Sequence, residues 1–184
     1  MKRLAGWLVP LCLLLSGCSQ PADDIIRMGL ASAPSNLDPR FATDATSARL
    51  NRLLYARLVD FDENLLPVPA LAEWETLSDR HYRFRLRPDR ATFHDGTVLT
   101  ARDVAATYRY ILDPANGSPQ RSALQLIDRV KVLDGVTLDF HLARPDPLFP
   151  GYLVIGILPE AGILAGQPFH EAPLGSGPFR FDSW

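Results

Sequence analysis

His94 followed by Asp95 is the pairing in this chain best suited to chemistry, because an imidazole that titrates near neutrality beside a carboxylate can form an acid–base couple. Adjacent residues of an extended segment point to opposite faces, however. Asp95-Gly96 is also a tight-turn dipeptide, so the pair reads as structural. The four histidines, His81, His94, His141 and His170, show neither HExxH nor any paired metal spacing. Gly175-Ser176-Gly177 lacks the Lys-Ser/Thr ending of a phosphate loop, and Pro178 removes an amide that a phosphate would use. No G-x-S-x-G elbow offers a serine nucleophile. The residues therefore predict no enzyme, no catalytic group, no metal site and no cofactor. Arg83, Arg85 and Arg87 form a stripe that suits either an anion site or a solvated strand face, and the second reading is favoured.

The elements that would position these residues centre on Phe93 to Val104, F-H-D-G-T-V-L-T-A-R-D-V. Asp95-Gly96 makes the turn. Thr100 stands at a helix N-cap with Asp103 three residues on, an acidic variant of the capping box, and Leu99 and Val104 are placed as a hydrophobic staple. A helix is expected over residues 101–111, ended by Asp113-Pro114. Before the turn, residues 73–77 and 81–87 read as a hairpin, with Tyr82, Phe84 and Leu86 alternating on one face. After the helix, residues 129–133 and 136–142 read as a second hairpin about Asp134-Gly135. Further expectations are a buried first strand at Ile25–Leu30 and a helix over residues 44–56, with Leu50, Leu53 and Leu54 on its apolar face. Residues 58–61 read as a short strand, 119–127 as a second helix, and a glycine turn at 175–177 as leading into a last strand. Trp74, Tyr82, Phe84, Phe93, Tyr108 and Tyr110 read as core or partly exposed packing, which for Trp74 is favoured over contact with a ligand in a cleft.

The chain opens with Lys2 and Arg3, and Leu4 to Leu15 is almost wholly apolar. That run matches a signal-peptide h-region and falls short of the roughly 20 residues that span a bilayer. Leu15-Ser16-Gly17-Cys18 resembles a bacterial lipobox, with cleavage before Cys18 and lipid on that residue. The competing reading is an ordinary signal peptide with an incidental cysteine, but Cys18 stands where the cut belongs. Of the two cysteines, Cys12 would leave with the signal, so the mature chain could form no disulfide. Losing residues 1–17 removes two basic residues and no acid, moving the net charge from −2 to −4. No basic patch suggests nucleic acid. At 47% hydrophobic the composition is that of a globular protein, and sixteen prolines predict many loops.

Taken in order, the motifs are Leu37-Asp38-Pro39, Leu58-Val59-Asp60 and Pro69-Ala70-Leu71-Ala72-Glu73-Trp74. They continue through Tyr82-x-Phe84-x-Leu86-Arg87 and Phe93-His94-Asp95-Gly96-x-x-Leu99-Thr100-Ala101-x-Asp103-Val104 to Gly175-Ser176-Gly177-Pro178-Phe179. Over residues 25–184 this series closely resembles the family 5 extracellular solute-binding proteins, the oligopeptide-, dipeptide- and nickel-binding components of ABC importers. The resemblance implies a mixed α/β (α+β) fold like a type II periplasmic binding protein. Its parts would be a signal peptide (1–17), a tether (18–24) and the first part of lobe I (25–59). A small α+β extra domain (60–146) and a return into lobe I (147–184) would follow. Asp38, Pro39, Phe93, Asp95, Gly96, Thr100, Asp103, Gly175, Gly177 and Pro178 would be structural motif residues.

The same resemblance implies that Thr43, Asp44 and Ala45 line the ligand cleft and pair backbone to backbone with an extended peptide. The partners would be that peptide, the ABC permease and, through lipid on Cys18, the membrane of the periplasm or cell envelope. Family members carry a second lobe for which this chain has no counterpart, so it reads as a fragment, the product of a broken gene, or part of a split receptor. A truncated remnant, an interaction module and a nickel- or metallophore-binding member of the same family are the alternatives.

Overall fold

A computed structural model describes residues 25–87, 89 and 92–183. The expected signal peptide, the expected lipidation at Cys18 and the expected tether fall outside the described residues. Four antiparallel strands form the main sheet: β3 (Ala72–Ser78), β4 (His81–Leu86), β5 (Ile127–Val132) and β6 (Thr137–Leu142). Their order is β3-β4-β6-β5, so the two hairpins lie side by side, joined by the pairing of β4 with β6. The alternation expected for β4 holds, since Tyr82, Phe84 and Leu86 are all buried. β1 (Val59–Phe61) and β2 (Pro67–Pro69) make a separate small ribbon.

Helix α2 (Ala101–Leu112) covers one face of the main sheet. Its Tyr108 ring stands edge-on to Phe140 of β6 at 5.4 Å, and Phe140 in turn meets Phe84 at 5.4 Å. Leu99 and Val104, the two staple positions, are fully buried in this same cluster. The start of α2 carries the expected capping box: the Thr100 N–H and hydroxyl both donate to Asp103 Oδ2, at 2.7 and 2.8 Å. Helix α1 (Ala45–Leu54), the short α3 (Arg121–Leu124) and α4 (Glu160–Leu164) are the other helices among the described residues, with 3-10 turns at Pro114–Asn116 and Phe149–Tyr152. A second, smaller cluster joins Leu37, Leu54, Tyr55, Leu158 and Phe169. Residues 31–184 form one compact unit. Among the described residues no helix is long and apolar enough to cross a membrane.

Four expectations are corrected. Ile25–Leu30 is exposed and forms no strand, because apolar residues favour burial but cannot supply the hydrogen-bonding neighbour a strand needs. The second helix shrinks to Arg121–Leu124 because Ile127 is drawn into β5, opposite Leu142. The buried face of α1 is mostly polar, made of Thr46, Ser47 and Asn51 with Leu54, while Leu50 and Leu53 are only half-buried. The last strand does not form. Residues 177–179 lie along the end of α1 instead, the Gly177 and Phe179 N–H groups donating to Leu54 O and Leu53 O at 2.9 and 3.0 Å.

Candidate functional site

The loop from Leu37 to Asp44 starts from a buried ion pair. Asp38 and Arg40 are each nearly inaccessible, and the guanidinium forks onto the carboxylate through Nε to Oδ1 at 3.0 Å and Nη2 to Oδ2 at 2.6 Å. The Arg40 N–H also donates to Asp38 Oδ1 at 2.9 Å, so one carboxylate closes the turn and neutralises the cation. The guanidinium lies over the Tyr110 ring at 3.9 Å, with Phe169 and Phe41 at 5.2 and 5.8 Å, as cation–π contacts favour. Burial, with the Asp38 charge adding to it, pushes the neighbouring Tyr55 hydroxyl far above its ordinary pKa. Sequence reasoning missed Arg40. Its only sequence signal was the Asp-x-Arg spacing, which does not disclose the aromatic cage.

Asp44 is the N-cap of α1. Its carboxylate accepts the Ser47 N–H at 2.9 Å and the Ser47 hydroxyl at 2.5 Å, together with the Ser35 hydroxyl. These hydroxyl and amide donors hold it well below the usual carboxylate range. The Asp44 side chain is thus committed to structure, while Thr43 and Ala45 on either side are exposed. A recess of about 330 Å³ lies between Pro39 and Ala42 of the loop, Ala48 and Asn51 of α1, and Ile155 and Gly156. Asn51 Oδ1, on this wall, is buried without a hydrogen-bond partner. A larger recess of about 830 Å³ lies along β5 and α2, but its Arg109 is already bound to Val130 O at 2.7 Å.

The remaining motif residues meet in space. Asp95 Oδ1 accepts both the N–H and the hydroxyl of Thr97, at 2.9 and 2.7 Å, and Gly96 takes φ 89°, closing the turn over the buried Phe93. His94, at the turn, reaches the glycine segment twice: its N–H donates to Gly175 O at 2.9 Å, and its Nε2 lies 3.0 Å from Gly177 O. The two glycines sit so tightly against α1 that a Cβ at Gly175 would lie 1.9 Å from Leu54 O, and one at Gly177 would lie 2.3 Å from Leu53 O. Pro178 is exposed. Thr100 and Asp103 are tied into the helix cap described above.

On the sheet face turned away from α2, His81, Asp139 and His141 come together, each offering one ligand atom within 4.8 Å of the others. Arg83, from the arginine stripe, is bound to Asp139 through both oxygens at 2.8 and 3.0 Å. That contact holds the carboxylate below its ordinary pKa. Among the described residues this is the one cluster able to hold a metal ion.

The family described as "Bacterial extracellular solute-binding proteins, family 5 Middle" matches residues 66–184. The glutathione-binding protein GsiB of Shigella boydii serotype 4 (strain Sb227) is 29% identical over 177 residues, 93% of this chain and 34% of GsiB. The oligopeptide-binding protein AppA from Bacillus subtilis, solved with a nonapeptide, superposes with a TM-score of 0.79 at 27% identity, over 85% of this chain and 33% of AppA. AgaA from A. tumefacien R10, solved with agropinic acid, gives 0.76 at 31% identity, over 83% of this chain and 32% of AgaA. The fold is that of type II periplasmic binding proteins, and the chain spans about a third of the length of the relatives it matches.

Proposed function

The chain belongs to the bacterial extracellular solute-binding proteins of family 5, and from that premise we propose that it forms part of the peptide receptor of an ABC importer. It captures peptide outside the cytoplasmic membrane and passes it to the permease. The observation that carries this reading is the Thr43–Ala45 segment, where two exposed residues flank a side chain already satisfied as a cap, between Ala42 and Ala48 that line the recess. Such a segment recognises an extended ligand through main-chain hydrogen bonds, which give affinity without reading side chains. The nonapeptide held by AppA supports peptide as the ligand class. Cys18, at the end of the apolar leader, is the lipid attachment point, and Cys18→Ala should move the protein from the membrane to the soluble fraction.

The test of ligand capture is Ala45→Pro, with peptide binding measured by calorimetry on the chain supplied with the second lobe of a relative such as AppA. Proline is tolerated at the first helical position, and Asp44 before it is already extended at φ −96° and ψ 158°. The change therefore removes one backbone donor and leaves α1 intact. Saturable peptide binding that weakens about 2–12-fold in the variant, the worth of one hydrogen bond, is the expected result. No peptide binding in any form would leave the truncated, non-transporting remnant as the better description.

A further inference from the structure

The sheet face turned away from α2 carries a feature that solute capture at the Thr43–Ala45 segment does not use. His81 on β4 and His141 on β6 are directly opposite each other in the antiparallel register, and their rings stack at 4.2 Å between centroids. Asp139, two residues before His141, shares its face by the period-2 alternation of a strand, and lies opposite Arg83. Although it points away from the core, Asp139 is only 3% exposed, because the surrounding long side chains cover it. His81 Nε2 lies 3.0 Å from Asp139 Oδ2, yet off the line a hydrogen bond requires, so this buried nitrogen has no well-aligned partner. Two imidazoles and a carboxylate oxygen thus converge within 4.8 Å, with one nitrogen unsatisfied.

We propose that His81, His141 and Asp139 form a binding site for a divalent transition ion of the zinc class, held across strands β4 and β6. Imidazole nitrogen with one carboxylate oxygen is the donor set that suits Zn²⁺, Ni²⁺ and Cu²⁺, whereas Mg²⁺ and Ca²⁺ favour oxygen ligands alone. A tetrahedral ion at ligand distances of about 2.0–2.1 Å places its ligand atoms about 3.3 Å apart. The His81–Asp139 separation of 3.0 Å is already close to that. The half-exposed imidazoles leave the remaining positions open to water. Arg83 has a defined part in this arrangement. Its Nε to Oδ1 bond at 2.8 Å holds the carboxylate plane, as outer partners of ligating carboxylates do, while the ion displaces Nη2 from Oδ2. Arg129 opposite His141 and Lys131 opposite Asp139 add positive charge nearby. They oppose a dication, so the affinity is below that of a closed structural zinc site.

The experiment is calorimetric titration of ZnCl2 into the whole chain carrying Cys12→Ser and Cys18→Ser, which removes competing thiolates. One saturable site is expected, with no heat from MgCl2. His81→Ala and His141→Ala should each weaken it by at least the about 10–100-fold that follows loss of a supporting partner, and His170→Ala should leave it unchanged. A variant-free measurement runs beside it: imidazole NMR signals of His81 and His141, and not those of His94 or His170, should shift on Zn²⁺ addition. Absence of a saturable site, affinity retained in both histidine variants, or shifts confined to His94 and His170 would overturn the assignment. Because the readout is metal alone, it is independent of peptide capture.

Discussion

Asp103 and Glu160, 57 residues apart in the chain, are joined by one hydrogen bond in which the Glu160 N–H donates to Asp103 Oδ1 at 2.8 Å. Glu160 opens α4, so its amide is one of the donors a helix start leaves without an internal partner. The other oxygen of Asp103 caps its own helix through Thr100. One buried carboxylate therefore starts two helices and sets where the returning chain meets α2. A turn further along α2, Thr107 Oγ1 accepts the Leu158 N–H at 3.1 Å and extends the same seam.

Asp103→Ala should accordingly cost more than a lost cap alone. A cap is worth about 0.5–2 kcal/mol. Leaving the Glu160 amide without its partner adds about 1–3 kcal/mol. Urea denaturation should show a fall of about 1.5–5 kcal/mol, with faster amide exchange at Glu160. A loss confined to the start of α2 would mean that α4 is held by other contacts.

Arg40→Ala should be among the most damaging single changes, at about 3–5 kcal/mol, because it leaves the buried Asp38 carboxylate without its cation. Adding Asp38→Asn removes the stranded charge and should recover part of the loss. Thermal melts of the two single variants and the double variant measure the coupling. Strict additivity would show that the pair does not act as a unit.

Gly175→Ala and Gly177→Ala should both detach the 175–179 segment from α1, since each new methyl would collide with a backbone carbonyl rather than a movable side chain. Gly135→Ala meets nothing within 4 Å and serves as the contrast. Hydrogen exchange at Gly177 and Phe179, whose amides bind the end of α1, should rise sharply in the first two variants and stay unchanged in the third.

Acid should weaken the start of α1 through Asp44. Its folded pKa is depressed by the Ser35 and Ser47 donors. Its contribution is therefore complete above the unfolded value near 4 and is lost as pH falls toward the folded one. Comparison of Asp44→Asn with the parent by thermal melting should show a gap that is constant from about pH 5 to 8 and closes below about pH 4. A gap that opens near neutrality instead would assign the pH dependence to another group.

What the sequence by itself determined are the features whose partners lie within a few residues. The Thr100–Asp103 box, the Asp95-Gly96 turn and both hairpins are closed by local hydrogen bonds or by alternation along one strand. These local patterns, in their order along the chain, were also specific enough to carry the family resemblance. Tertiary structure decided what depends on distant partners. Ile25–Leu30 has the apolar pattern of a strand but is exposed, because pattern cannot provide a neighbour. The polar buried face of α1 was hidden because Ser47 is satisfied by Asn36 and Asp44 rather than by an apolar contact. Arg40 became a structural residue only when Tyr110 and Phe169 enclosed it. His81, Asp139 and His141 have no readable spacing, since cross-strand register, not sequence separation, sets which side chains on neighbouring strands come together.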